Sequence, residues 1–249
     1  MNRCQRISGA LVLAAAFALS ATACSPFGGS SSPSSAGTPS TSPSPTALSA
    51  DALANQAVAD LGQASAYRMK GRIDQAGKII GVDLSVVTGK GCVGSISQAG
   101  KGTIRLVLLG QKLWIRPNVS FWESVGAPSS TARALAAKYV ATSATSAKFG
   151  AFGKLCDAQA LTKGFGTATG LARGATTTVD GVSAVTLKEA DGVLDYVTES
   201  GRPELVRLLK PAKGSAKVAS QIDFLDFGKP ATITAPPASQ TIPGAKLGA

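Results

Sequence analysis

Few side chains in this sequence could do chemistry. It holds no histidine and four cysteines in 249 residues. A Ser-His-Asp triad, a Cys-His pair and a histidine-containing zinc site are therefore excluded. Carboxylate pairs, lysines and a thiol remain. The fourteen acidic residues include Asp191/Asp195 and Asp223/Asp226, which solvated strand faces explain more simply than a glycosidase pair. Gly100-Lys101-Gly102-Thr103 lacks the upstream glycine and the Lys-Ser/Thr step of a phosphate-binding loop. No Gly-x-Ser-x-Gly elbow, Ser-x-x-Lys pair or EF-hand spacing occurs. The expectation is a non-enzymatic protein with no resident cofactor and no metal site.

The cysteines, Cys4, Cys24, Cys92 and Cys156, take their meaning from position. Arg3 and Arg6 precede an apolar run, Ile7–Leu19, and the small residues Ser20–Ala23. Basic start, short apolar core and small-residue cleavage zone define a secretory signal over 1–23; spanning a bilayer takes about 20 apolar residues. Ala21-Thr22-Ala23-Cys24 resembles the lipobox of bacterial lipoproteins, although Ala21 stands where that family usually has Leu. The resemblance implies lipid attachment at Cys24; a plain secreted product is the alternative. Ser25–Thr46 has 22 residues, 20 of them Ser, Pro, Thr or Gly. Such a stretch cannot bury enough apolar surface to fold. Residues 24–49 thus read as a lipidated cysteine and a disordered tether, spanning roughly 26 Å as a coil.

Cys4 leaves with the signal, so Cys92 and Cys156 remain in an oxidising compartment. They are expected to form a disulfide, with a free thiol as the alternative. Closing a loop of about 64 residues is worth roughly 4 kcal/mol in the chain-entropy model. Loss of Arg3 and Arg6 lowers the formal charge from +11 to +9. The remaining bases are scattered, without the aromatic interleaving of a nucleic-acid binder. An anionic membrane surface or wall polymer would suit them, and so would plain solvent.

These residues need elements to position them. Ala50–Ala64 reads as a helix, with Leu53, Ala57 and Leu61 at four-residue spacing. Alternating strands follow: Tyr67, Met69 and Ile73; Ile80, Val82, Leu84 and Val86; Val93 and Ile96; Ile104, Leu106 and Leu108; Leu113 and Ile115. Gly-rich turns about every 10–12 residues make them an antiparallel meander. A short turn or helix is expected over Val119–Val125. A helix is expected over Ser129–Thr142, capped by Ser129 or Ser130, with Leu135 and Tyr139 four apart. Leu155–Lys163 is a further helical candidate. Strands resume at Ala175–Val179 and Val182–Lys188 around Asp180-Gly181, then Val193–Glu199, Glu204–Lys210 and Lys217–Phe227.

The order of these elements resembles the lipoprotein-carrier superfamily typified by LolA, and its LppX/LprG-type lipoproteins. The likeness covers residues 50 to about 236. It rests on Ala64-Ser65-Ala66-Tyr67-Arg68-Met69-Lys70-Gly71, Gly110–Arg116 followed by Phe121-Trp122, Asp195-Tyr196-Val197 with Gly201-Arg202-Pro203, and Asp226-Phe227-Gly228-Lys229-Pro230 with Ile233 and Pro236. What it implies is an α+β fold: a strongly curved, open antiparallel β-sheet, or half-barrel, with helices covering its concave face. The domain would occupy 50–236 and a flexible tail 237–249. It also implies a hydrophobic cavity for a lipid or acyl ligand, lined by Met69, Val82, Leu84, Ile104, Leu106, Leu113 and Ile115, with Leu135 and Tyr139 as a lid. The same residues would equally make a dry, filled core. Two functions follow: a lipid carrier anchored at the extracytoplasmic face of the cell membrane, or an envelope sensor or protein-interaction lipoprotein with a filled core.

Overall fold

Alternating side chains and glycine turns draw most of the chain into hairpins, set out in a computed structural model that describes residues 48–147, 149–212 and 218–247. The signal, Cys24 and the tether up to residue 47 lie outside the described residues. The first helix, α1 (Ala50–Gln63), starts where the Ser49 hydroxyl accepts a hydrogen bond from the Ala52 N–H. Its buried Leu53, Ala57 and Leu61 share one side at four-residue spacing.

Five strands follow: β1 (Ala66–Gln75), β2 (Lys78–Val87), β3 (Gly91–Gln98), β4 (Gly102–Leu109) and β5 (Lys112–Pro117). They pair in sequence as an antiparallel meander. Two short helices, α2 (Val119–Ser124) and α3 (Ser129–Ala136), interrupt it. The Asn118 side chain caps α2 and also accepts from the Thr103 N–H, fixing the helix to β4.

The helix expected over Ser129–Thr142 is corrected here. It ends at Ala136, its N-cap is Pro128 without a side-chain bond, and Tyr139–Ser143 is a strand, β6, paired with β5. The Tyr-Val-Ala-Thr run suits a pleated surface, and the open edge of β5 supplies the ladder that a lone helical turn lacks.

After α4 (Gly150–Lys154) and α5 (Ala158–Lys163) comes a second meander: β7 (Ala172–Val179), β8 (Val182–Lys188), β9 (Leu194–Val197), β10 (Leu205–Pro211) and β11 (Val218–Leu225). Asp180 and Gly181 both take positive φ, 48° and 84°, the geometry of the tight hairpin turn their sequence predicts. β11 pairs with β10 and with β1, joining the two meanders.

The segment expected as a free tail, 237–249, instead contributes β12 (Thr241–Pro243), which pairs in parallel with β6. To reach it, the chain leaves β11 and passes to the other end of the first meander. On the way Ile233 is buried against Val107 and Trp114. Phe227 still packs on the main core, but beyond it Ile233 straps the chain to the sheet face opposite that core.

The result is an open, mostly antiparallel sheet of twelve strands among the described residues, in the order β12-β6-β5-β4-β3-β2-β1-β11-β10-β9-β8-β7. Two strand-interior glycines permit close passage of neighbouring backbones. A Cβ on Gly71 would lie 2.0 Å from the Gln221 carbonyl oxygen, and one on Gly94 2.0 Å from that of Asp83, with φ of +155° at both. Glycines of this kind let a sheet coil. On the face away from the main core, Arg68 grips Asp83 through two 2.7 Å hydrogen bonds, and Arg207 bridges Asp223 and Asp180.

Candidate functional site

Cross-strand register arranges the inward residues of the first meander into ribs running across the strands. One rib reads Phe224, Met69, Leu84, Gly94, Leu106, Ile115 and Val140, from β11 to β6. A second, nearer the start of β1, reads Tyr67, Val86, Cys92, Leu108 and Leu113. The seven sheet residues expected to line a cavity, Met69, Val82, Leu84, Ile104, Leu106, Leu113 and Ile115, all belong to one apolar cluster and none is more than 7% exposed. They are brought together as a packed face.

The expected lid residues fall elsewhere. Leu135 is half-buried on α3 and is no member of that cluster. Tyr139 packs on the opposite side of the sheet with Val107, Trp114 and Ile233, its ring 5.2 Å beneath the Arg116 guanidinium. The cause is the change of element at 137–138. As a strand residue, Tyr139 shares the face of Arg116 and Trp114, because side chains alternate.

What packs on this face as its cover are residues from 144–147 and 149–171, together with α1 and α2. Among the described residues of 144–171, only Cys156 and Ala158 are buried. Phe149, Phe152, Leu155, Leu161, Phe165 and Leu171 are half-buried and pack on the sheet cluster. The Phe165 ring meets Phe224 edge-on at 6.4 Å, and Phe149 stacks on Phe152 at 6.4 Å. From α2, Phe121 and Trp122 join the same cluster. Sequence reasoning missed these phenylalanines as site residues. Three of the eight in the chain fall between 149 and 165, a clustering with no helical period to announce it.

Two sets of bonds hold this cover. Cys92 on β3 and Cys156, between α4 and α5, form a disulfide with Cα atoms 5.4 Å apart. At the far end, Asp51 accepts hydrogen bonds from the Gly170 and Leu171 N–H groups at 2.9 and 2.8 Å, and Asn55 exchanges two bonds with Ala168. Those backbone donors hold the Asp51 carboxyl below the usual carboxylate range.

Beside α1, Arg202 meets Asp60 at 2.9 Å, and Gln56 donates to the same carboxylate. A hollow of about 440 Å³ opens there between α1 and residues 199–203, its wall including Leu48, Leu53 and Arg173. Burial raises the neighbouring Glu204 carboxyl above its ordinary value, which Arg202 partly opposes.

Inside the cluster, burial pushes the Tyr67 phenol up to about 12, with the Asp157 carboxylate adding to the shift. Among the described residues no three His, Cys, Asp or Glu side chains gather to hold a metal, and no helix is long and apolar enough to cross a membrane.

No family model matches the chain, and no curated protein matches it in sequence. The fold is similar to that in the crystal structure of LprF from Mycobacterium bovis, with a TM-score of 0.51 and 12% identity, over 75% of this chain and 96% of that one. The LppX/LprG-type resemblance carried by element order is therefore matched in fold.

Proposed function

We propose that the chain is an exported lipoprotein, acylated at Cys24 and held at the extracytoplasmic face of the cell membrane, that binds a lipid through its acyl chain. The acyl chain lies between the apolar sheet face, on the concave side of a curved sheet, and the 144–171 cover. The observation that carries this reading is the mismatch between the two layers. The sheet face is closely packed and apolar but for the Tyr67 hydroxyl, whereas the cover consists of short helices whose phenylalanines are only half-buried. Away from the disulfide and the Asp51/Asn55 bonds the cover has few buried contacts, and such stretches open at low free-energy cost, which would expose an apolar trough between the two anchor points. The work is non-enzymatic: burial of hydrocarbon grips the ligand and the cover gates access. The likeness in fold to LprF supports the lipoprotein part of the reading.

Native mass spectrometry of protein expressed in a lipid-containing host tests it. Co-purified lipid is expected, and its loss in Leu106→Trp, which fills the trough. Protein that stays lipid-free in the presence of lipid sinks the proposal. Incorporation of radiolabelled palmitate, abolished in Cys24→Ala, tests the anchor.

The tight packing of the seven sheet residues favours a second reading, an envelope sensor or interaction lipoprotein with a permanently filled core. In that case wild type and Leu106→Trp differ in stability alone.

A further inference from the structure

The apolar cluster contains a polar atom that the packing does not satisfy. Tyr67 is 1% exposed, yet its hydroxyl has no hydrogen-bond partner among the described residues. It stands on β1 at the end of the rib that continues through Val86 to Cys92. Its ring lies 6.2 Å from Phe224, which in turn touches Phe165 of the cover. The hydroxyl is therefore enclosed between the sheet face and the pinned part of the cover. A buried hydroxyl without a partner is costly, and Phe would fill the same space without that cost. Such an atom in a core is explained when something that enters the core satisfies it.

We infer that Tyr67 is a specificity residue: its hydroxyl donates a hydrogen bond to a carbonyl oxygen of the bound lipid, so the interior selects ester-linked acyl chains over plain hydrocarbon. This rests on the carrier reading above. The phenol is the right donor for that task. It stays neutral and protonated at any ordinary pH, so it offers an O–H and no charge. An ester carbonyl accepts that bond and brings no charge of its own into the cluster. A hydrocarbon of the same length displaces the same apolar contacts and leaves the donor unpaired. Sites built around a donor discriminate against ligands that lack the acceptor for this reason.

The test uses two probes of equal chain length, methyl palmitate and octadecane, equilibrated with the exported, delipidated protein and read by native mass spectrometry. Wild type is expected to prefer the ester by about tenfold. Tyr67→Phe is expected to bind both probes equally, at the level wild type shows for octadecane, and to melt no lower than wild type when empty. Equal binding of the two probes by wild type overturns the inference alone, as does an undiminished ester preference in Tyr67→Phe. Binding of neither probe by wild type overturns the carrier reading and this inference with it.

Discussion

Reducing the Cys92–Cys156 bond gives the sharpest test of how the cover is held. The bond closes a segment of 64 residues. In the chain-entropy model such a loop removes roughly 4 kcal/mol of freedom from the unfolded chain at 25 °C. Domains of this size are stable by only about 5–15 kcal/mol, so the bond supplies a large share. Both sulfurs are buried, with Cys92 0% and Cys156 7% exposed. A thiol pair left in place behaves as small apolar groups, and no cavity adds to the loss. With a urea slope of about 2–3 kcal/mol/M, the reduced and refolded protein is expected to unfold at a midpoint about 1.3–2 M lower. The folded state should also loosen unevenly. Amide exchange is expected to rise first in 144–171, where only two of the described residues are buried, while β1–β4 keep their protection. A midpoint shift below about 0.5 M, or equal loosening of β3 and the cover, refutes the reasoning.

Three further outcomes follow from the same geometry. Gly94→Ala drives a Cβ into the Asp83 carbonyl and should lower stability by about 3 kcal/mol or more, whereas Gly89→Ala, in open space at positive φ, should cost about 1 kcal/mol; urea unfolding of both variants compares them. Asp51 has a folded pKa below its ordinary value, so its contribution is full above the ordinary carboxylate pKa near 3.9 and is lost as pH falls through the lower folded value. The stability gap between wild type and Asp51→Asn should therefore close on acidification below about pH 4, and a gap constant down to pH 2 contradicts the assignment. Ending the chain at Lys229 removes Ile233 and β12, which should cost about 2 kcal/mol from the isoleucine alone and red-shift tryptophan emission as Trp114 meets water.

Much of this architecture was legible because period-two alternation and glycine turns are local signals. The strands from Tyr67 to Ile115 and the Asp180-Gly181 hairpin were read correctly for that reason. Tyr139 was misplaced because its four-residue spacing from Leu135, among alanines, imitates a helix; its partnership with β5 depends on residues far away in sequence. The strap was hidden for a similar reason. A lone Ile233 and a three-residue strand carry no period, and their partners Val107, Trp114 and β6 lie about 100 residues upstream. The apolar trough residues were identifiable as one face. Whether such a face is filled or hollow depends on what packs over it, and the half-buried phenylalanines of 149–165 have no alternation to reveal them.

The order of strands places the two meanders on either side of one seam. Each meander pairs its strands with their neighbours in sequence, but between the two the only ladder among the described residues is β1 with β11, from Arg68–Leu225 to Arg72–Gln221. The partners are about 150 residues apart, so this pairing carries the largest loop-closure cost of any ladder among the described strands. Gly71, pressed against Gln221 in that seam, sets how closely the two meanders approach, and any side chain there would pry the two halves of the sheet apart.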